Sequence, residues 1–248
     1  MNNPDKVRGP EHRNDGAENL VLLLRTGSVR TLMLNRPEKR NAASFAMQRR
    51  ILEVMNEVAA DSEAKVLVLA GAGPSFCAGG DRADLAAAGE GKLDNQAEFA
   101  AMQQEMMRTM LSMEIPAIAA VNGAASGFGA ALVALCDIAI LAEDAALWDP
   151  HVLFGVQPSL MLQLIWPRLT SLAVARDLLM TGRKIAAAEA VQLGLASRIC
   201  PVGMARTEAM ALAETFAAMP ITGVSGAKQR FNRPVLAELD AIEAGLEG

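Results

Sequence analysis

Apolar positions recur along the chain in two rhythms. Residues 20–24 and 29–34 are short apolar runs parted by Thr26, Gly27 and Ser28, the pattern of a β-hairpin. Residues 35–43 read as a loop. Ser44 then stands where an N-cap belongs, before Ile51, Val54, Met55 and Val58, which fall at i, i+3, i+4 and i+7 of a helix. Residues 66–70 are wholly apolar and short, as a strand covered on both faces requires. A helix is predicted over 97–111, with Phe99, Met102, Met106 and Met110 along one side; these methionines read as core or as lining of an apolar pocket. Further strands are predicted at 117–121 and 138–141, with a small-residue helix opened by Gly127 and Gly129 between them. Helices near 172–181 and 186–193, a short strand at 197–200, and a helix at 205–217 with Ala209, Leu212, Ala213 and Phe216 on one face complete the pattern. Strands and helices alternate throughout, so the fold class is α/β with largely parallel pairing. No fixed-period repeat and no internal linker interrupt it.

Composition narrows the class further. The chain has 248 residues, 52% apolar and 21% charged, which suits a compact globule. Residues 1–17 are polar and read as a disordered tail without the apolar stretch of a signal peptide. Net charge is −5, so general attraction to nucleic acid or to an anionic membrane is not expected. The uncharged stretch 115–136 is long enough to span a bilayer, but Pro116, Asn122, Gly123, Ser126, Gly127 and Gly129 divide it into strand, turn and buried helix. Cys77, Cys136 and Cys200 are too few and too scattered for a disulfide framework or a metal cluster, and read as free thiols of a cytoplasmic protein. No metal or redox cofactor is implied.

Two glycine-bearing loops follow buried strands: Phe76-Cys77-Ala78-Gly79-Gly80-Asp81 and Asn122-Gly123-Ala124-Ala125-Ser126-Gly127-Phe128-Gly129. Loops at the ends of parallel strands are where ligands bind, and free N–H groups at a helix start attract negative charge. Either loop alone is equally consistent with a tight turn.

With Leu34-Asn35-Arg36-Pro37-Glu38-Lys39-Arg40-Asn41-Ala42 they become specific. That segment resembles the N-terminal signature of the crotonase (enoyl-CoA hydratase/isomerase) superfamily, and the two glycine loops resemble its oxyanion loops. Leu179-Met180-Thr181-Gly182, Ala187-Ala188-Glu189-Ala190 and Gly194-Leu195-Ala196 resemble its later helices. The resemblance spans about residues 20 to 228. It implies a spiral of β-β-α units over 18–200, a C-terminal helical region over 201–248, and a homotrimer or dimer of trimers. It also implies an acyl-coenzyme A thioester as substrate, with coenzyme A entering only as part of it. The N–H groups of Gly80 and Phe128 would hold the thioester oxygen, and Lys39, Arg40, Ala78, Asp81 and Ala131 would line the coenzyme A and acyl channel. Phe128 departs from the glycine that the family commonly carries, so its donor geometry depends on compatible φ and space.

Hydratases of this superfamily use two glutamates around one water. The corresponding positions here are Ala131 and His151, so a two-glutamate hydration is not expected. His151 is the replacement acid–base, since imidazole changes charge near neutral pH. Asp149, two residues earlier, would lie on the same side of an extended segment and orient the ring. The alternative is a histidine that only packs beneath Trp148; Trp148 and Trp166 themselves read as packing residues. A histidine here also resembles family members that hydrolyse carbon–carbon bonds of diketones, although Leu160 stands where those carry an aspartate. Cys77 reads as a small buried apolar group in preference to a nucleophile. Past Lys228 only one weakly amphipathic segment, 235–246, is expected, so the adenine pocket and trimer contacts would be less complete. Three functions remain open: enolate chemistry on an acyl-CoA, non-catalytic acyl-CoA binding, and β-diketone hydrolysis.

Overall fold

The computed structural model describes residues 19–81, 83–84 and 96–245; the tail expected over 1–17 lies outside them. Strands β1 (Val21–Thr26) and β2 (Val29–Leu34) form the expected hairpin, antiparallel with Thr26 opposite Val29. Gly27 takes φ 55° in the two-residue turn, which glycine adopts without steric cost. After β2 every pairing in the main sheet is parallel: β2 with β3 (Val66–Gly71), β3 with β4 (Ala117–Val121), then β6 (Ile138–Ala142) and β9 (Arg198–Cys200).

This sheet is covered on both faces, and successive residues alternate between them. Leu32, Leu34, Leu67, Leu69, Val121 and Leu141 enter the larger core. Val29, Met33, Val66, Val68, Ile118 and Ile140 enter the smaller one on the other face. Helix α1 (Phe45–Ala60) covers the larger core side with Ile51, Val54, Met55 and Val58, all buried, and is capped by Ser44, whose Oγ accepts the Met47 N–H at 3.3 Å. Helix α2 (Gln96–Ser112) packs on α1 and buries Met106 and Met110.

A second sheet of three short strands escaped the sequence pattern: β5 (Ala124–Ser126), β7 (Ala146–Trp148) and β8 (Ile185–Ala186). Runs of two or three residues carry no readable alternation. It flanks the short helix α3 (Phe128–Ala134), which is buried throughout. Helix α4 (Leu160–Leu169) likewise lies outside the sequence pattern, because Pro158 precedes it and Pro167 falls inside it. Helices α5 (Leu172–Thr181) and α6 (Ala187–Leu193) follow as expected.

Helix α7 (Ala205–Ala217) lies on the sheet's second face, where Ala205, Ala209 and Ala213, one turn apart, allow close approach. The C-terminal expectation needs correction. Helix α7 is not the last helix, and the amphipathic segment expected at 235–246 belongs to one longer helix, α8 (Ile221–Glu243). Pro234 does not end this helix. It sits on the exposed side, where the carbonyl it leaves unpaired can be hydrated, so the helix runs through it. Lys228 pins α8 to the sheet: its Nζ donates to the Ile115 carbonyl at 2.9 Å and pairs with Asp137 at 2.9 Å. Among the described residues, no helix is long and apolar enough to cross a membrane.

Candidate active site

The two glycine loops lie far apart in sequence but are laced together by backbone. Cys77 N–H donates to the Ala124 carbonyl at 3.0 Å, and the Cys77 carbonyl accepts from Ser126 at 2.9 Å. The approach is so close that a Cβ on Gly129 would lie 2.4 Å from the Cys77 oxygen. Only glycine fits there.

Asn41 fixes the first loop from the other side. It is fully buried, and its Nδ2 faces the carbonyls of Ala72, Ser75 and Phe76 at 2.8–3.0 Å while Oδ1 accepts the Arg36 N–H at 2.8 Å. Its φ of 55° is one that asparagine tolerates better than most residues. The neighbouring strand-like contact then sets which amides are free. Ala43 N–H donates to Gly79 and the Ala43 carbonyl accepts from Asp81, at 2.7 and 3.1 Å. In a parallel contact of this kind the residue between those two turns its own N–H to the opposite side. That residue is Gly80.

The second donor arises at a helix start. Gly127, at φ 49°, sends its N–H to the Trp148 carbonyl at 2.9 Å and accepts from Ala131 at 2.9 Å, leaving Phe128 as the first residue of α3. A first-turn N–H has no intrahelical acceptor. Phe128 has ordinary helical geometry and its ring is buried in the larger core, so the side chain is accommodated. Neither the Gly80 nor the Phe128 N–H donates a hydrogen bond to any described residue, and both residues line one cavity of about 240 Å³.

His151 lines the same cavity. β5 and β7 pair in parallel with Ser126 beside Trp148, which carries the chain past Gly127; a Cβ on Gly127 would lie 3.4 Å from His151 Cε1. The His151 Nδ1 contacts the Asp149 carboxylate, as expected, but not through an extended strand. Pro150 turns the chain into a short 3₁₀ turn (His151–Phe154), and Asp149 Oδ1 also accepts the His151 backbone N–H at 3.2 Å, as Asp does in a local side-chain turn. Oδ2 accepts from Ser159 N–H at 3.0 Å. Burial pushes the Asp149 carboxyl up, yet the His151 ring and the Ser159 and His151 amides outweigh it and hold the group below the ordinary carboxylate range. An ionised Asp149 accepts from Nδ1–H, which leaves Nε2 as the ring's free acceptor.

The other expected residues divide. Asp81 lines the cavity and pairs with Arg36 at 2.5 Å; that guanidinium is the main cause of its lowered pKa. Lys39 and Arg40 are exposed on the preceding turn, and Ala78 donates to the Arg40 carbonyl; none of the three lines the cavity. Ala131 is fully buried within α3 and does not line it either, because its side of the helix faces the core. Leu160 does line it. Cys77 is fully buried and its thiol is pushed up to about 12 by burial, which removes it as a nucleophile. Trp166 is buried packing, and Lys184 Nζ sits 4.8 Å over the Trp148 ring. Sequence reading missed the wall built by Phe45 and Gln48 of α1 and Gln103 of α2. Their helical register was legible, but not that α1 and α2 meet over the loops.

Comparison with known proteins decides the family. The enoyl-CoA hydratase/isomerase family profile matches residues 25–245. The chain belongs to the enoyl-CoA hydratase/isomerase family. Within it, a short-chain-enoyl-CoA hydratase of Clostridium acetobutylicum is 30% identical over 227 residues, 91% of this chain and 86% of that protein. The mitochondrial enoyl-CoA hydratase domain-containing protein 3 of Danio rerio is 31% identical over 228 residues, 91% of this chain and 77% of its own length. A solved enoyl-CoA hydratase/isomerase from Mycobacterium paratuberculosis superposes with TM-score 0.85 at 34% identity, covering 90% of each chain. The mixed α/β crotonase fold read from the sequence is therefore the fold of the enoyl-CoA hydratase/isomerase family.

Proposed function

We propose that this chain binds an acyl-CoA thioester and converts it through an enolate, with the N–H groups of Gly80 and Phe128 holding the thioester oxygen and His151 moving the proton. The observation that carries this reading is the meeting, on one cavity, of an Asp-held histidine and two backbone donors without a partner among the described residues. When a base removes the α-hydrogen, the electron pair moves onto the thioester oxygen. Two fixed donors aimed at that oxygen stabilise the charge by about 3 kcal/mol each, the scale found for oxyanion holes. His151 Nε2 takes the proton, and ionised Asp149 stabilises the imidazolium that results.

The site holds neither residue of a glutamate pair at the positions where the resemblance puts them: Ala131 is in the core and His151 is an imidazole. A single acid–base group suits moving a proton between carbons of one acyl chain better than adding water, which needs donor and acceptor at once. Hydration of crotonyl-CoA is accordingly expected to be weak or absent. Diketone hydrolysis is disfavoured by Leu160 on the cavity wall, an apolar side chain where that chemistry uses a carboxylate.

The test is α-hydrogen exchange in deuterated water, followed by NMR on a saturated acyl-CoA, which reports enolate formation whatever the later step. Wild type is expected to exchange the α-hydrogen and His151→Ala to lose exchange while calorimetry still shows thioester binding. Binding without exchange in the wild type would establish a non-catalytic acyl-CoA-binding protein instead.

A further inference from the structure

The cavity wall contributed by α1 and α2 sets two amide side chains, Gln48 and Gln103, among the rings of Phe45 and Phe99. Gln48 of α1 is buried; its Nε2 donates to the Ala43 carbonyl at 3.2 Å, and its Oε1 accepts from Gln103 Nε2 of α2 at 3.3 Å. Gln103 lines the cavity, and its Oε1 makes no hydrogen bond to a described residue. Asp84 lines it too; its Oδ2 accepts the Phe45 N–H at 2.7 Å. Phe45 and Phe99, edge to face at 4.7 Å, complete this part of the wall.

An alkyl chain laid against these groups strips water from the Gln103 amide and the Asp84 carboxylate, with Gln48 holding Gln103 in place from behind, and returns no hydrogen bond. An acyl carboxylate would bring a second negative charge toward Asp84. A hydroxyl does neither: it can donate to Gln103 Oε1 or to Asp84 and accept from the second Gln103 N–H. We propose that Gln48, Gln103 and Asp84 form a subsite for an uncharged hydrogen-bonding substituent on the acyl chain, so that the preferred thioester carries a hydroxylated acyl group. The inference rests on the thioester reading above. It adds to that reading a substrate class and three specificity-determining residues on a wall separate from the proton-transfer groups.

Calorimetry with three coenzyme A thioesters of equal chain length tests it: alkyl, terminally hydroxylated and terminally carboxylated, at four and at six carbons. The hydroxylated thioester is expected to bind at least about tenfold tighter than its partners at one of the two lengths. Gln103→Leu should bring the alkyl thioester level with the hydroxylated one, and Asp84→Asn should recover the carboxylated one. Equal binding of alkyl and hydroxylated thioesters by the wild type at both lengths overturns the subsite alone. So does a Gln103→Leu variant that melts cooperatively and keeps the wild-type preference. If no thioester of any kind binds, the thioester reading fails and the subsite with it.

Discussion

At His151 the orientation of the ring matters as much as its presence. Asp149 holds Nδ1, which leaves Nε2 as the ring's free nitrogen on a residue that lines the cavity, and replacing Asp149 by Asn removes the charge that fixes this tautomer. His151→Ala is expected to lower acyl-CoA turnover about 10²- to 10⁴-fold with little change in binding, as steady-state rates beside calorimetry will show. Asp149→Asn should lose a comparable part of turnover with the fold intact. The single histidine within the described residues was conspicuous in the sequence, and its aspartate partner was legible from spacing. The 3₁₀ turn that makes the contact was not, because Pro150 sets it and an i, i+2 spacing alone suggests an extended strand.

Among the elements, the two glycine loops carry the site only because other segments hold them. Asn41→Ala would leave three inward-facing carbonyls without their donor, and an expected loss of at least about 2 kcal/mol should appear in denaturant unfolding. Gly129→Ala places a methyl 2.4 Å from a backbone oxygen, so α3 must shift away from Cys77; a loss of about 1–3 kcal/mol is expected, together with a larger loss of activity than of thioester binding. The buried strands and long helices were legible from periodicity, since β3 and β4 are apolar on both faces and α1 keeps a strict stripe. Strands β5, β7 and β8 were too short to show one, yet they place Gly127 beside His151. Helix α8 showed only its second half, 235–246, in the sequence; Pro234 lies inside it on the exposed side, a position that no local pattern reveals.

For the molecule as a whole, charge pairs tie distant segments and set its response to acid. Lys228→Met would leave Asp137 without its buried cation and loosen α8 from the sheet, with an expected cost of about 3 kcal/mol in a urea titration. Asp149 and Asp81 are both held below the ordinary carboxylate range, so the stability they lend is present above about pH 4 and is lost as pH falls through their folded values. Thermal melts from pH 7 to pH 2.5 should therefore show a steep fall below about pH 4, and Asp149→Asn should make it shallower. The proposed acyl-CoA chemistry depends on one arrangement, two backbone amides from separate loops converging on a shared point. A crystal structure with a bound, non-reactive acyl-CoA analogue tests it most directly. The account requires the thioester oxygen to accept from the N–H groups of both Gly80 and Phe128, within about 3 Å of each. A thioester oxygen seated elsewhere, with those two amides facing solvent or another part of the ligand, would contradict it.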